Sequence, residues 1–509
     1  MSSQTVPEQH AIARPVETAP SQTAADEPSW ARTIGLMGIM LSVLGLTVVI
    51  FNEIYGPRII TKGWGFVFVA IGIASMLFHA VRDNDIQIRR AYGFIGYALL
   101  GLIALLTIIN TTNFLAYGWA CALASLCFLL TFSRHETDPV WRKRILWTLC
   151  GVGTVLAAVG FGGGLMKEGF ILTYGLVCAV VGLAWMCAFV SQSDPTTEAG
   201  YRTGVGLGVA AVFLFLYAVL RSAVPSLLKM NVSAFFVPTG LLIMFLAGLY
   251  GTVALGIVSD NKLVVLTRRE LTSYFYSPIA YVVMLAMALL GGLAYWAFVA
   301  SIVLGGVMFE PIVAQFYQMF PPIVVLFLVP AITMRLLSEE KRTGTYEVLM
   351  CAPVKESTVV LSKFLASLAF FMLLWGIWAL YLIALRVEGG KEFDYRPLLG
   401  FYLALTISGA GFISMGLFFS SLSRNQVIAS VLTFIGMLVI FFIGMLGRQD
   451  RFTEIAPQWR AVYLHLSYTN LWEASLVGQI HLREIMLQGS FAFFWLFLTV
   501  KVLEARRWS

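Results

Sequence analysis

Apolar runs long enough to cross a bilayer recur fourteen times along the 509-residue chain. They fall at about 33–51, 64–80, 91–109, 112–132, 145–164, 169–190, 203–220, 234–258, 279–304, 318–334, 364–385, 398–420, 427–446 and 485–500. A hydrocarbon layer of about 30 Å takes about 20 helical residues to cross. None of the fourteen cores holds an Asp, Glu, Lys or Arg. Backbone groups in lipid must be satisfied within the segment, so these runs are expected to be helices. Composition agrees: 59% of residues are hydrophobic and 12% charged, against about 45–50% and 25% in soluble domains. A soluble globular chain and a long disordered one are both excluded. The expected fold is an all-α integral membrane protein with about fourteen spans. The break at 110–112 leaves either two spans or a re-entrant pair across 91–132; two spans are preferred, since each half is long enough to cross.

Charge placement orients the chain. Residues 1–29 are polar and rich in Ala, Pro, Thr, Gln and Ser, which reads as a disordered cytoplasmic tail. They lack the basic and short apolar regions of a cleavable signal peptide. With the N-terminus inside and an even number of spans, 22 of the 34 Lys and Arg fall on the cytoplasmic side. That bias places both termini in the cytoplasm. The net charge of +7 is therefore read as topology rather than as affinity for nucleic acid. Uncharged span cores argue against an ion-coupled carrier, which keeps ionisable groups at membrane depth. Six cysteines without a C-x-x-C pair indicate neither a disulfide framework nor a zinc site.

The first half contains a repeat. Tyr117-Gly118 opens YGWACALASLCFLLTFSRHETDP, and Tyr174-Gly175 opens YGLVCAVVGLAWMCAFVSQSDP, 57 residues later. A weaker copy begins at Trp64-Gly65 and a degenerate one at Thr239-Gly240. Each copy forms the second helix of a hairpin, so 30–258 reads as eight helices in four hairpins of roughly 55 residues.

The character changes near Ser259. Residues 262–277 set Leu263, Val264, Leu266, Leu271, Tyr274 and Phe275 among Lys262, Arg268, Arg269 and Glu270, the pattern of an amphipathic helix in the membrane interface. The loop from Met334 to Phe364 holds a dense mixed-charge patch, Glu339, Glu340, Lys341 and Arg342. Gly344 is expected to end the preceding helix. Thr345 would then cap a short helix over 346–351, stopped by Ala352-Pro353. A charged helix-turn-helix of this kind suits docking to a soluble protein.

The strings RRELTSYFYSPIAYVV, LLSEEKRTGTYEVLMCAPV, LSKFLA and FFSSLSRNQVIA, in that order, resemble the ABC type-2 transporter permeases. They are nearest to the gliding-motility-type and multicopper-associated bacterial branch. The closing LVGQIHLREIMLQGSFAFFWLFLTVKVLEARRW resembles that branch's last helix. The resemblance covers about 263–508 and implies a six-helix permease domain, 259–509, opened by a cytoplasmic elbow helix that holds Arg268, Arg269, Glu270 and Tyr274. It implies that Glu339, Glu340, Arg342, Gly344, Thr345 and Glu347 form or flank the loop that couples to an ATPase. Ser421, Ser423, Arg424, Asn425 and Gln426 would support them from a second cytoplasmic turn. External segment 447–484 would hold short re-entrant or interfacial helices. Its Trp459, Tyr463, Tyr468 and Trp472 are expected at the headgroup level, as ordinary aromatic-belt residues.

No G-x-x-x-x-G-K-[ST] occurs, so phosphates cannot be cradled by a P-loop in this chain. No cofactor is expected here; ATP and Mg²⁺ would sit on a partner ABC ATPase. The five histidines are scattered and no H-E-x-x-H occurs, so no catalytic or metal residue is assigned. The expected function is the permease subunit of an exporter in the bacterial plasma (inner) membrane, paired as a homo- or heterodimer and in contact with lipids but not nucleic acid. The alternatives are a membrane enzyme acting on lipid-linked substrates, or an anchoring subunit. Singly scattered Glu392, Asp394, Glu454 and Glu473 do not favour the enzyme.

Overall fold

The computed structural model describes residues 29–56, 61–82, 85–110, 114–134, 136–166, 170–193, 198–227, 235–305, 312–318, 320–345, 354–389, 396–446 and 467–507. Among these residues every regular element is helical. The first eight helices are α1 (Ser29–Tyr55), α2 (Lys62–Arg82), α3 (Ile86–Ile109), α4 (Trp119–Ser133), α5 (Pro139–Met166), α6 (Leu176–Gln192), α7 (Ala199–Leu227) and α8 (Leu241–Val258). Next come α9 (Lys262–Tyr276), α10 (Pro278–Gly305), α11 (Ile312–Gln318), α12 (Pro321–Thr333) and α13 (Ser338–Thr343). The last five are α14 (Glu356–Gly389), α15 (Arg396–Leu422), α16 (Gln426–Leu446), α17 (Tyr468–Leu476) and α18 (Leu482–Arg507).

Thirteen stretches among the described residues are long and apolar enough to cross a membrane, and a shorter apolar helix covers Leu176–Gln192. That shorter helix follows directly on a π turn, Ile171–Gly175. Together they fill the place of the sixth expected span. Each of the fourteen expected runs therefore holds a helix among the described residues. Residues 87–109 and 114–133 each form a stretch of crossing length, which favours two spans there over a re-entrant pair.

The repeat has a structural counterpart. Three π turns, Phe114–Gly118, Ile171–Gly175 and Phe236–Gly240, each end on the repeated glycine and lead into α4, α6 and α8. The copy at Gly65 sits within an unbroken α-helix. Seven residues beyond each repeated glycine, two turns along the same face, stand Gly72, Ser125, Gly182 and Ala247. These small residues let helix backbones meet. A Cβ on Gly65 would lie 2.9 Å from the Gly45 carbonyl oxygen, and one on Gly72 would lie 2.7 Å from that of Gly38. The third hairpin repeats the arrangement, with Gly175 against the Gly160 carbonyl at 2.7 Å and Gly182 against that of Gly153 at 3.0 Å. In the second hairpin, Ser125 Oγ donates to the Gly96 carbonyl at 2.7 Å. Lipid gives apolar side chains no reason to associate, so close small-residue packing supplies the attraction between helices.

Two compact units divide the chain: Met1–Ile109 with Ala120–Leu149, and Asn110–Trp119 with Cys150–Ser509. In the first unit, His79 Nδ1 lies 2.8 Å from Tyr92 Oη. Arg90 donates to both carboxylate oxygens of Glu136, at 3.0 and 3.2 Å. This pair fastens the first turns of α3 to the α4–α5 connection. In the second unit, an aromatic-rich core forms around Tyr317, Trp375, Trp378, Phe401, Tyr468 and Trp472. Its polar ring atoms are mostly satisfied. Trp378 Nε1 donates to the Met287 carbonyl at 3.1 Å, and Tyr402 Oη to that of Trp375 at 2.8 Å.

Segment 447–484 gives one correction. Residues 447–466, with Trp459 and Tyr463, lie outside the described residues. Tyr468 and Trp472, expected in the headgroup belt, are instead buried. Short helix α17 tucks them into the core, where Tyr468 Oη donates to the Pro322 carbonyl at 3.1 Å and Trp472 Nε1 to Ser408 Oγ at 2.9 Å. Their polar tips, which would hold them at the interface, find internal acceptors instead.

Hydrogen bonds from Arg90 hold the Glu136 carboxyl below its ordinary pKa, against the opposing effect of burial. This contribution to stability is complete above the ordinary glutamate pKa of about 4.3, and it fades as pH falls through the lower folded value. Glu136→Gln is expected to cost about 1–2 kcal/mol at neutral pH, a value reduced because water reaches the partly exposed Arg90. Thermal unfolding against pH checks this: the gap between wild type and variant should close as pH drops below 4.

Candidate functional site

The site is built where α9, α12, α13, α14 and α15 meet at the end of the second unit that carries the mixed-charge loop. Helix α9 begins where Asn261 Oδ1 accepts the Leu263 N–H at 3.0 Å, an N-cap. It ends at an extended Ser277, before Pro278 opens α10. Leu271, Tyr274 and Phe275 turn toward the core. The Tyr274 ring stacks on Phe370 with centroids 4.7 Å apart. Its hydroxyl lies 3.1 Å from Ser367 Oγ and 3.3 Å from the Ile332 carbonyl, and it shares one proton between them. Burial raises the Tyr274 pKa, so the phenol stays neutral and keeps that proton.

Helix α13 carries Glu339, Glu340, Lys341 and Arg342. Its own N-cap position, Leu337, offers no side-chain acceptor. Ser420 Oγ, from α15, takes the N–H groups of both Leu337 and Ser338 at 3.1 Å. The cap is thus supplied by another helix. At the far end Gly344 has φ +75°, the left-handed backbone that ends a helix, as the sequence led one to expect. Lys341 Nζ donates to the Ser421 carbonyl. Both ends of α13 are therefore tied to the end of α15.

The centre of the site is Lys363, with a side chain only 2% exposed. Its ammonium contacts Glu340 Oε1 at 2.6 Å and Glu270 Oε2 at 3.0 Å. Those carboxylates are 20% and 14% exposed. Arg269 Nη2, 3.8 Å from Glu270 Oε1, brings the cluster to two cations and two anions. One buried cation thereby joins α9, α13 and α14. A charge withdrawn from water costs several kcal/mol and persists only when it is paired.

The sequence-predicted residues separate by position. Glu270, Tyr274, Glu340 and the Ser421 backbone belong to the inner network. Arg268 donates from α9 to the Gly256 carbonyl at 3.3 Å. Glu339 and Arg342 stand on the outer face of α13, 3.9 Å apart. Thr345 Oγ1 and Thr343 Oγ1 are 3.0 Å apart. Ser423 and Asn425 close the α15–α16 turn, and Asn425 Oδ1 accepts the Val427 N–H at 2.9 Å. Arg424 is exposed and Gln426 opens α16. Glu347 and the expected helix over 346–351 lie outside the described residues. Two members were missed in the sequence. Lys363 read only as a positive-inside charge before a span, and Ser420 as an apolar-run residue next to Ser421. A charge seven residues past the start of α14, rather than in the preceding loop, was the available signal for Lys363.

Residues 308–501 match the family model described as ABC-2 family transporter protein. That segment, from just before α11 to the last turns of α18, is similar to this transporter family, and the chain that contains it, with thirteen stretches of membrane-crossing length among the described residues, is a multi-pass membrane protein. No curated protein and no solved structure matches the chain.

Removing the central cation should be costly. Lys363→Met is expected to destabilise the protein by about 3–5 kcal/mol, because two carboxylates remain facing each other without it. Chemical or thermal unfolding of the purified chain measures this. A loss under 1 kcal/mol would show that the cluster holds nothing together.

Proposed function

We propose that this chain is the transmembrane permease subunit of an ATP-binding-cassette exporter, coupled to an ATPase carried on a separate polypeptide. The observation that carries the reading is α13: a short helix fixed at both ends and anchored by Lys363, on a domain whose family is a transporter component. Its outer face bears Glu339 and Arg342, the latter 63% exposed. A rigid charged projection of this kind suits an ATPase surface. Movement of the ATPase would pass through Glu340 and Lys363 into α14, and through Ser420 and Ser421 into α15.

Several further assignments follow from the same reading. ATP and Mg²⁺ belong to the partner, since this chain has no P-loop sequence. Two permease domains, identical or related, would line one path. The excess of Lys and Arg on one side supports a plasma (inner) membrane protein with both termini in the cytoplasm. Residues 259–509 would be the transport domain, 30–258 an accessory array of hairpins, and 1–29 a cytoplasmic tail.

The test uses the full chain expressed in its own cell, with the Walker A-bearing ATPase that co-purifies with it identified by mass spectrometry. Glu339→Lys combined with Arg342→Glu reverses the outer face without touching Lys363. ATPase affinity is expected to fall more than tenfold, since misplaced like charges at an interface cost several kcal/mol. Arg202→Glu, in the first turn of α7, should leave it unchanged. Undiminished co-purification of the ATPase with the reversed face would refute docking at α13.

A further inference from the structure

A second feature stands in the first unit. An open groove of about 850 Å³ runs between α3 and α5, with Phe94, Val140, Trp141 and Trp147 along its apolar walls and Lys143 and Arg144 at its rim. We propose that this groove binds an anionic phospholipid, with the phosphate against Lys143 and Arg144 and an acyl chain along Phe94 and Trp147. The proposal rests on no part of the transport reading.

Three observations point to that ligand. The first is the depth of the groove. Its walls belong to two helices of membrane-crossing length, Gln87–Ile109 and Pro139–Met166, so lipid is the medium beside them. Lys143 and Arg144 lie in the second turn of α5, where headgroups meet the hydrocarbon. Tyr97 Oη and Thr148 Oγ1, 3.5 Å apart, line the same groove. Thr148 is one turn past Arg144, about 6 Å deeper, near the level of a glycerol ester.

The second is charge. Residues 134–144 and the start of α3 hold Arg89, Arg90, Arg134, Arg142, Lys143 and Arg144 against Glu136 and Asp138. Both acids are already engaged: Glu136 accepts from Arg90, and Asp138 Oδ1 accepts the Val140 N–H at 2.9 Å. Neither Lys143 nor Arg144 makes an ion pair among the described residues. Their positive charge faces a groove with no internal counter-ion, which is the chemistry of an anionic headgroup site between spans.

The third is the apolar wall. Phe94 and Trp141 meet edge to face at 5.6 Å, and the Arg144 guanidinium sits over the Trp141 ring at 5.0 Å. This contact holds Arg144 toward the groove. Trp147 is 70% exposed, a large apolar surface left open among the described residues, at the depth where tryptophan favours lipid.

The experiment uses the purified full chain in neutral detergent. Bound lipid is counted by native mass spectrometry, and unfolding temperature is measured with added phosphatidylglycerol, phosphatidylcholine or inorganic phosphate. Phosphatidylglycerol is expected to bind and stabilise in preference to phosphatidylcholine, and phosphate alone to do neither. Each basic residue near a headgroup is worth about fivefold in affinity, so Lys143→Gln with Arg144→Gln should weaken phosphatidylglycerol about thirtyfold. Trp147→Ala should weaken both lipids and keep the preference between them. If the double variant does not fold, Lys143→Gln alone reads the effect at about fivefold. Equal binding of the two lipids, stabilisation by phosphate alone, or unchanged phosphatidylglycerol affinity in the variants would overturn the proposal. So would groove variants that change the oligomeric mass and leave lipid affinity intact, a result that would assign the groove to a second copy of the chain.

Discussion

A lysine ammonium removed from water at the edge of a bilayer has to meet carboxylates, and at Lys363 it meets two. Glu270 comes from the interfacial helix α9 and Glu340 from the projecting helix α13. Neither helix rests on burial alone, although α9 packs Leu271, Tyr274 and Phe275 against the core. Helix α9 has no fully buried residue, and α13 has only six residues, too few for an isolated helix to persist in water. The ion cluster, the Ser420 cap and the Lys341 contact with Ser421 replace the missing apolar area. They make a rigid fixture from segments that would otherwise fray.

The two halves of the chain solve the same problem in different ways. Between α1 and α2, small residues bring backbones together at Gly38, Gly45, Gly65 and Gly72, and between α5 and α6 again at Gly153, Gly160, Gly175 and Gly182. From α10 to α17, large aromatics fill the space between helices, and their polar atoms reach backbone carbonyls. Both devices answer the constraint that lipid supplies no hydrophobic force between helices. The aromatic design also accounts for α17, which inserts Tyr468 and Trp472 between spans instead of leaving them at the surface.

Much of this architecture is legible in the sequence because length and charge exclusion are local signals. The spans, α9, and the glycine that ends α13 all belong to that class. The repeat at Gly118 and Gly175 is legible as well, but the π turns that end on those glycines are not, since no residue pattern distinguishes them from ordinary helix starts. Lys363 is illegible for another reason: its meaning depends on Glu270 and Glu340, 93 and 23 residues away in the chain. Its local context looks like one more cytoplasmic charge. Tyr468 and Trp472 misled in the same way, because an aromatic near a membrane boundary reads as belt until its hydrogen-bond acceptor is known.

The central claim is that Lys363 joins α13 to α14 as one body through Glu340. A double-mutant cycle between Glu340→Gln and Lys363→Met, read by unfolding free energy, tests it most directly. The account predicts a coupling of about 1–3 kcal/mol, with the double variant no less stable than Lys363→Met alone. Strict additivity of the two substitutions would contradict it.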